Sequence, residues 1–249
     1  MRVYAIGDIH GHRDKLETAH HFITADRKQT GDTEAPVVHI GDLVDRGPDS
    51  KGVLDFLIAG LDANAPWVVL MGNHDRMFLH FLADHDNHDP GLRADLHWIH
   101  PRLGGVTTLA SYGISSADER PLADIHREVH DLVPQSHIGF LLDRLVLYWR
   151  MPGLFFAHAG IRPGVALSKQ QEDDLLWIRG TFLDDKRDHG ALVVHGHTPV
   201  KTATHYGNRV NIDTGAGYGE ALTAVVIEDG QVWRLGAGGR EEIARAGRS

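Results

Sequence analysis

Six short apolar runs, each closed by a polar, glycine-bearing turn, set the tightest limit on what this chain can fold into. They are RVYAIGDIHG, PVVHIGDLVDRG, WVVLMGNHD, GLFFAHAG, ALVVHGHTP and RVNIDTGAG. Runs of this length, rich in Val, Ile and Leu and bounded by Gly, read as buried strands. Helix-period stretches lie among them at about 12–26, 49–63 and 74–84, the last starting directly after the GNH turn. Strands alternating with helices predict an α/β sheet architecture. Residues 92–148 hold no clear strand and read as helical, with PQSHIGFLLDRL an amphipathic segment led by Pro134. LTAVVIEDGQVWRLG reads as a hairpin turning at Asp229-Gly230. With no repeat, linker or internal break, the expectation is one domain over residues 1–235 with a helical insertion at about 85–150. Residues 236–249 are expected to form a flexible tail.

Composition removes several kinds of chemistry. The 249 residues are 42% hydrophobic and 24% charged, enough for one substantial core. No apolar run approaches the length of a bilayer span, and strand-like sequence begins almost at Met1, so a soluble cytoplasmic protein without a signal peptide is expected. There is no cysteine, which excludes disulfides, thiolate metal sites, iron–sulfur clusters and cysteine nucleophiles. Any metal must therefore be held by oxygen and imidazole nitrogen. A net charge of -9 argues against nucleic acid as a partner. The 19 histidines are many for this length.

The turns bring Asp8 and His10; Asp42, Asp45 and Arg46; Asn73, His74 and Asp75; His158; and His195 and His197. All follow predicted strands, and open α/β sheets gather ligands at that edge. Carboxylate, imidazole and a neutral amide together suit Mn, Fe or Zn. In an extended loop, residues two apart point the same way, so Asp8 and His10 can reach one ion. An aspartate of the second loop could bridge two ions, and Asn73 would add a neutral oxygen. Two ions about 3.5–4 Å apart activate water and stabilise both ends of an in-line displacement at phosphorus. Singly, each turn is ordinary: GD after a strand is commonly a turn with a helix cap. Five such turns in order are not.

GDIHG, GDLVDRG, GNHD, HAG and HGHT closely resemble the motifs of the PPP-type metallophosphatases, nearest the bacterial and phage serine/threonine protein phosphatases. The resemblance runs over roughly residues 1–235 and includes DLLWIRG and NIDTGA. It implies the calcineurin-like metallophosphoesterase fold, a four-layer α/β/β/α sandwich with two mixed β-sheets. It implies that Asp8, His10 and Asp42 hold one metal, and that Asp42 bridges to a second held by Asn73, His158 and His197. His74 would be the general acid, oriented by Asp45, and Arg46 and Arg179 would grip the phosphate. The implied cofactors are two divalent ions, Mn²⁺ foremost and Fe or Zn acceptable. A metal-bridging hydroxide would attack phosphorus while His74 protonates the departing alkoxide. Elementary chemistry agrees with these roles: guanidinium forks suit phosphate, and an imidazolium beside a carboxylate is an acid suited to neutral pH.

Departures from the pattern bear on substrate. Pro199 occupies a position where many relatives in the wider superfamily carry a second histidine, which favours the phosphatase subgroup over phosphodiesterases and nucleases. GNHD, GDLV and RGP are shared with diadenosine tetraphosphate hydrolases, whereas Asp45 and GHTP point to protein phosphatases. The expected substrate is thus a phosphoprotein or phosphopeptide. The alternative is a small phosphate ester or dinucleotide, a dinucleoside polyphosphate hydrolase needing an aromatic or apolar adenine slot beside the metals. A complete set of ligands, acid and arginines argues against a non-catalytic binding module. No membrane partner is expected, and a monomer is assumed. Outside the motifs, His126 and His130 read as an exposed helix pair, and His39 as either a donor to a ligand carboxylate or simply buried. His195 reads as a core or supporting histidine, Trp98 and Trp149 as core, Trp177 as packing behind Arg179, and Tyr218 as a residue able to reach the rim.

Overall fold

The computed structural model describes residues 1–246. The strands and helices run β1 (Arg2–Ile6), α1 (Arg13–Thr30), β2 (Val37–His39), α2 (Ser50–Asp62), β3 (Trp67–Val69), α3 (Asn73–Ala83), α4 (Gly105–Ser111), α5 (Leu122–Leu132) and α6 (Gln135–Asp143). They continue as β4 (Tyr148–Met151), β5 (Leu154–Ala157), α7 (Glu172–Trp177), α8 (Gly180–Leu183), β6 (Leu192–His195), β7 (Thr204–His205), β8 (Arg209–Asn211), β9 (Ala224–Glu228), β10 (Gln231–Gly236) and β11 (Gly239–Glu242). All six apolar runs hold strands: β1, β2, β3, β5, β6 and β8.

The strands form two mixed sheets, ordered β11-β10-β9-β1-β2-β3 and β4-β5-β6-β8-β7. In the first, β1, β2 and β3 are parallel, with Tyr4 opposite Val37 and Val37 opposite Trp67. In the second, β5, β6 and β8 are parallel, with Phe155 opposite Val193 and Val193 opposite Arg209.

Period-two alternation explains the four layers. Side chains point to opposite faces in turn along a strand, so each strand feeds two cores. Val3, Ala5, Val38 and Ile40 of the first sheet meet Phe156, Val194, Val210 and Ile212 between the sheets. Tyr4, Ile6 and Val37 face outward onto α1, α2 and α3 through Leu16, Ile23, Leu54, Leu57 and Phe78. Phe155, Ala157 and Val193 face the opposite exterior and are covered by Leu175 and Phe182 of α7 and α8. The result is the α/β/β/α sandwich. No helix among the described residues is long and apolar enough to cross a membrane.

Several segments differ from expectation. Residues 92–104 are turns rather than helix. Pro101 lacks a backbone donor, and Gly104 takes φ 91, so neither continues a helix. Tyr148 begins β4, which pairs with β5. Residues 239–242, expected to fray, form β11, and Arg240 is bonded to Asp26 of α1 at 2.6 and 2.8 Å. Residues 247–249 of the expected tail lie outside the described residues. The hairpin turns at Asp229-Gly230 with φ of 50 and 81, both left-handed, as a two-residue hairpin turn requires.

Candidate metal centre

The loops after β1, β2, β3, β5 and β6 close on one another at the carboxyl edge of the two sheets. Asp75 straps the second loop to the third, accepting from the backbone of Leu43 and Gly72 at 2.8 Å each. Asp8 Oδ2 accepts from the backbone of His197 at 2.9 Å, joining the first loop to the last. The approach is close: a Cβ on Gly196 would lie 1.9 Å from Asp8 Oδ1, so only glycine fits there. Of the eight non-glycine residues with positive φ among the described residues, five sit in these loops: His10, Asp42, Asp45, Arg46 and His197. Each such conformation costs on the order of 1 kcal/mol and persists only where the surroundings enforce it.

Two clusters share Asp42. His10, Asp42 and His74 place ligand atoms within 4.8 Å of one another, as do Asp42, His158 and His197. His10 Nε2 is 3.3 Å from Asp42 Oδ2, and His158 Nε2 is 3.3 Å from Asp42 Oδ1, so the two oxygens face different clusters. Asn73 Oδ1 completes the second group, 3.0 Å from His158 Nε2 and 2.8 Å from His197 Nδ1. The imidazoles are oriented by carbonyls, which can only accept. His10 Nδ1–H donates to Val44 O and His158 Nδ1–H to Ile40 O, both at 3.0 Å, leaving each Nε2 lone pair directed inward. Supporting bonds of this kind are what hold histidines as metal ligands.

The electrostatics fit cations as well as the geometry does. Burial, and then the Arg46 guanidinium, pushes His10 well below its ordinary value; burial first also pushes His197 well below and lowers His158. The shifts favour the neutral imidazole, the form that binds metal. Burial, followed by the neighbouring Asp213 and Asp42, pushes Asp8 well above the usual carboxylate range. Asp213 is pushed up to about 6, again by burial first. Asp8 Oδ1 is buried without a protein partner. Acids crowded in this way are costly without a counter-ion, and a pair of divalent cations meets that demand.

His74 and Asp45 lie beside the first cluster. His74 Nδ1–H donates to Asp45 Oδ2 at 2.6 Å, and the His74 backbone donates to Asp42 Oδ1 at 3.0 Å. Asp45 is itself locked. Trp98 Nε1 donates to Oδ2 at 2.9 Å, and Thr108 Oγ1 donates to Oδ1 at 2.7 Å. Arg46 donates to His10 Nε2 at 2.6 Å and to His74 Nε2 at 3.0 Å. Arg179 is exposed, its Nη1 3.4 Å from Thr198 Oγ1, and its charge helps to lower His158 and His197.

The structure therefore gathers Asp8, His10, Asp42, Asn73, His158, His197, His74, Asp45 and Arg46, with Arg179 at the margin. Trp98, read from sequence as core only, is both core and the partner of Asp45. Thr108 carries no motif signal for its task, whereas Asp75, the last residue of GNHD, serves as a strap between loops. His39 turns away from the site, because it shares the outward face of Val37; its Nε2 is 3.0 Å from His20 Nε2 on α1. His195 likewise faces outward against Phe182, its Nε2 3.2 Å from Arg209 Nη1. Trp177 packs edge-on to His197, with ring centroids 5.8 Å apart.

The chain matches the calcineurin-like phosphoesterase family over residues 1–225. It is 30% identical to the asymmetrical bis(5'-nucleosyl)-tetraphosphatase PrpE of Anoxybacillus flavithermus, over 88% of each chain. A solved structure described as a candidate diadenosine tetraphosphatase superposes with a TM-score of 0.61 at 22% identity, covering 94% of this chain and 92% of the other. A cold-active protein-tyrosine phosphatase of a psychrophilic Shewanella superposes with a TM-score of 0.64 at 18% identity, covering 98% and 80%. These two structural likenesses speak for the fold.

Proposed function

The chain belongs to the calcineurin-like phosphoesterase family and is a metal-dependent phosphoester hydrolase, and from that premise we propose that its substrate is a dinucleoside polyphosphate. The observation that carries this reading is the match, over 88% of both chains, to a relative named as a tetraphosphatase. It supports the dinucleoside polyphosphate alternative better than the serine/threonine protein phosphatase expected from Asp45 and GHTP. The physical reason lies in what Asp45 touches. It orients His74, which can hand a proton to a departing serine alkoxide or to a departing phosphate oxygen, so its presence does not select a peptide over a nucleotide.

Asp8, His10 and Asp42 would hold one cation, and Asp42, Asn73, His158 and His197 the other. When bound, the pair supplies a water acidified toward neutrality and positive charge at the phosphate oxygens. Manganese is the favoured identity. The remaining work belongs to side chains. Arg46 and Arg179 would grip the non-bridging oxygens. In the geometry described, His74 Nε2 accepts from Arg46 and so carries no proton. A phosphate that draws Arg46 to itself frees that nitrogen to take one up, with Asp45 stabilising the imidazolium. A new P–O bond then forms to the water oxygen as the water gives up its proton to solvent, the P–O bond to the departing nucleotide breaks, and His74 Nε2–H, protonated from solvent, delivers its proton to the leaving oxygen.

The test is a pair of initial-rate series with added Mn²⁺, on diadenosine tetraphosphate and on a phosphothreonine peptide. The reading expects the larger kcat/KM for the dinucleotide, with nucleotides as products. A clear preference for the peptide would reinstate the protein phosphatase.

A further inference from the structure

Tyr218 is the most exposed of the large apolar side chains among the described residues, at 64%, yet its backbone is firmly placed. It ends a 3₁₀ turn, Ala216–Tyr218, between Gly215 and Gly219, whose φ values of 84 and 97 are left-handed. Asp213 Oδ1 accepts from Gly215 N at 2.9 Å, and Lys15 Nζ donates to Ala216 O at 3.0 Å and to Glu220 O at 2.7 Å. The turn lies directly on the site. A Cβ on Gly217 would be 2.6 Å from His10 Cδ2 and 2.9 Å from Arg46 Cδ. One face of the Tyr218 ring covers Arg46, whose Cζ is 4.6 Å from the ring centroid.

We infer that the outer face of Tyr218 is a stacking platform for one purine of the substrate, an inference that rests on the dinucleoside polyphosphate reading. A nucleotide carries its base one ribose away from its 5'-phosphate. Arg46, which would take the phosphate, and Tyr218, which offers a flat apolar face, are direct neighbours, the guanidinium carbon 4.6 Å from the ring centroid. The guanidinium behind the ring fixes its plane, and the Lys15 anchor fixes the turn, so little freedom is lost when a base stacks. The ring also supplies the aromatic slot that a nucleotide substrate demands and a small phosphate ester does not. Lys15 is a positioning residue that acts through the turn.

Calorimetric binding of AMP and of ribose 5-phosphate to the Mn²⁺-loaded protein isolates the base, because the two ligands differ only there. Stacking of this kind predicts AMP binding about 5- to 100-fold tighter than ribose 5-phosphate in the wild type. Tyr218→Ala should erase that margin, Tyr218→Phe should keep it, and ribose 5-phosphate should bind all three proteins alike. In kinetics, Tyr218→Ala should raise KM for diadenosine tetraphosphate by a similar factor while kcat changes less than about twofold. Equal binding of the two ligands by the wild type would overturn the inference, as would a margin that survives Tyr218→Ala. A base-dependent margin in a protein that fails to cleave diadenosine tetraphosphate would leave the platform standing and overturn the substrate reading instead.

Discussion

Replacing Asp45 by Asn removes a charge from the proposed acid assembly while keeping its shape. Oδ2 accepts from His74 Nδ1 at 2.6 Å and from Trp98 Nε1 at 2.9 Å. An amide oxygen in that place satisfies both donors. The amide NH2 then faces Thr108 Oγ1, which already accepts from the backbone N–H of residue 45 at 2.8 Å and can turn its own hydrogen to Ser50 Oγ, 3.1 Å away. Every partner is retained, so melting temperature and manganese content should hold. The cost falls on the imidazolium form of His74. A hydrogen bond to a charged group contributes about 1.5–3 kcal/mol and a neutral one about 0.5–1.5, a difference of about 1–2 kcal/mol. That corresponds to about a 5- to 30-fold loss in kcat. The loss should appear in full for phenyl phosphate, whose leaving oxygen needs a proton. It should shrink to less than about 3-fold for p-nitrophenyl phosphate, whose leaving oxygen does not. Steady-state rates on both esters, with metal analysis of each protein, make the comparison. Equal losses on the two esters, or loss of bound manganese, would refute the assignment of Asp45 and His74 as an acid pair.

Further outcomes follow from the same geometry. His74→Asn should lower turnover about 10²- to 10⁴-fold while metal analysis finds the wild-type manganese content. Dialysis against a chelator should abolish activity, and Mn²⁺ at about 100 times its Kd should raise stability by about 2.7 kcal/mol in the wild type but far less in Asp42→Asn, as read by thermal unfolding. Arg76→Met should destabilise the fold by about 3–5 kcal/mol in urea, because the wholly buried Asp89, bonded to Arg76 at 2.7 and 2.8 Å, loses its cation; a second change, Asp89→Asn, should recover part of the loss. Burial pushes Asp26 up, but bonds from Arg240 and Tyr4 outweigh it and hold the carboxyl below its usual value. Its stabilisation is therefore complete above about pH 4 and is lost as pH falls through the native value. Between about pH 5 and about pH 3 the melting temperature should drop less in Arg240→Gln than in the wild type.

What the sequence makes legible is the part in which each segment speaks for itself. Val3, Ala5, Val38 and Ile40 alternate with Tyr4, Ile6 and Val37, so the strands and the turns that end them can be read locally. The strand edges then place Asp8, Asp42, Asn73, His158 and His197 together by architecture alone. Other features depend on distant partners. β11 reads GREE, a polar stretch indistinguishable from a tail until Arg240 is seen against Asp26, 214 positions away. His39 follows an apolar run next to a site loop, but the parity of its strand position turns it toward His20. Trp98 and Thr108 reach Asp45 from 53 and 63 positions away because the helical insertion folds back over the second loop. The positive φ of His10, Asp42 and Asp45 also leaves no mark, since these residues are there for their chemistry and the packed loops enforce the conformation. Substrate is the least legible property, because proton transfer and phosphate binding use the same side chains whether the leaving group is a peptide or a nucleotide.

The most direct test of the account is anomalous diffraction from crystals grown with Mn²⁺. Two peaks are predicted about 3.5–4 Å apart, one on each side of the Asp42 carboxylate, with His10 at the first and Asn73, His158 and His197 around the second. A single peak, or two peaks that do not share Asp42, would contradict it.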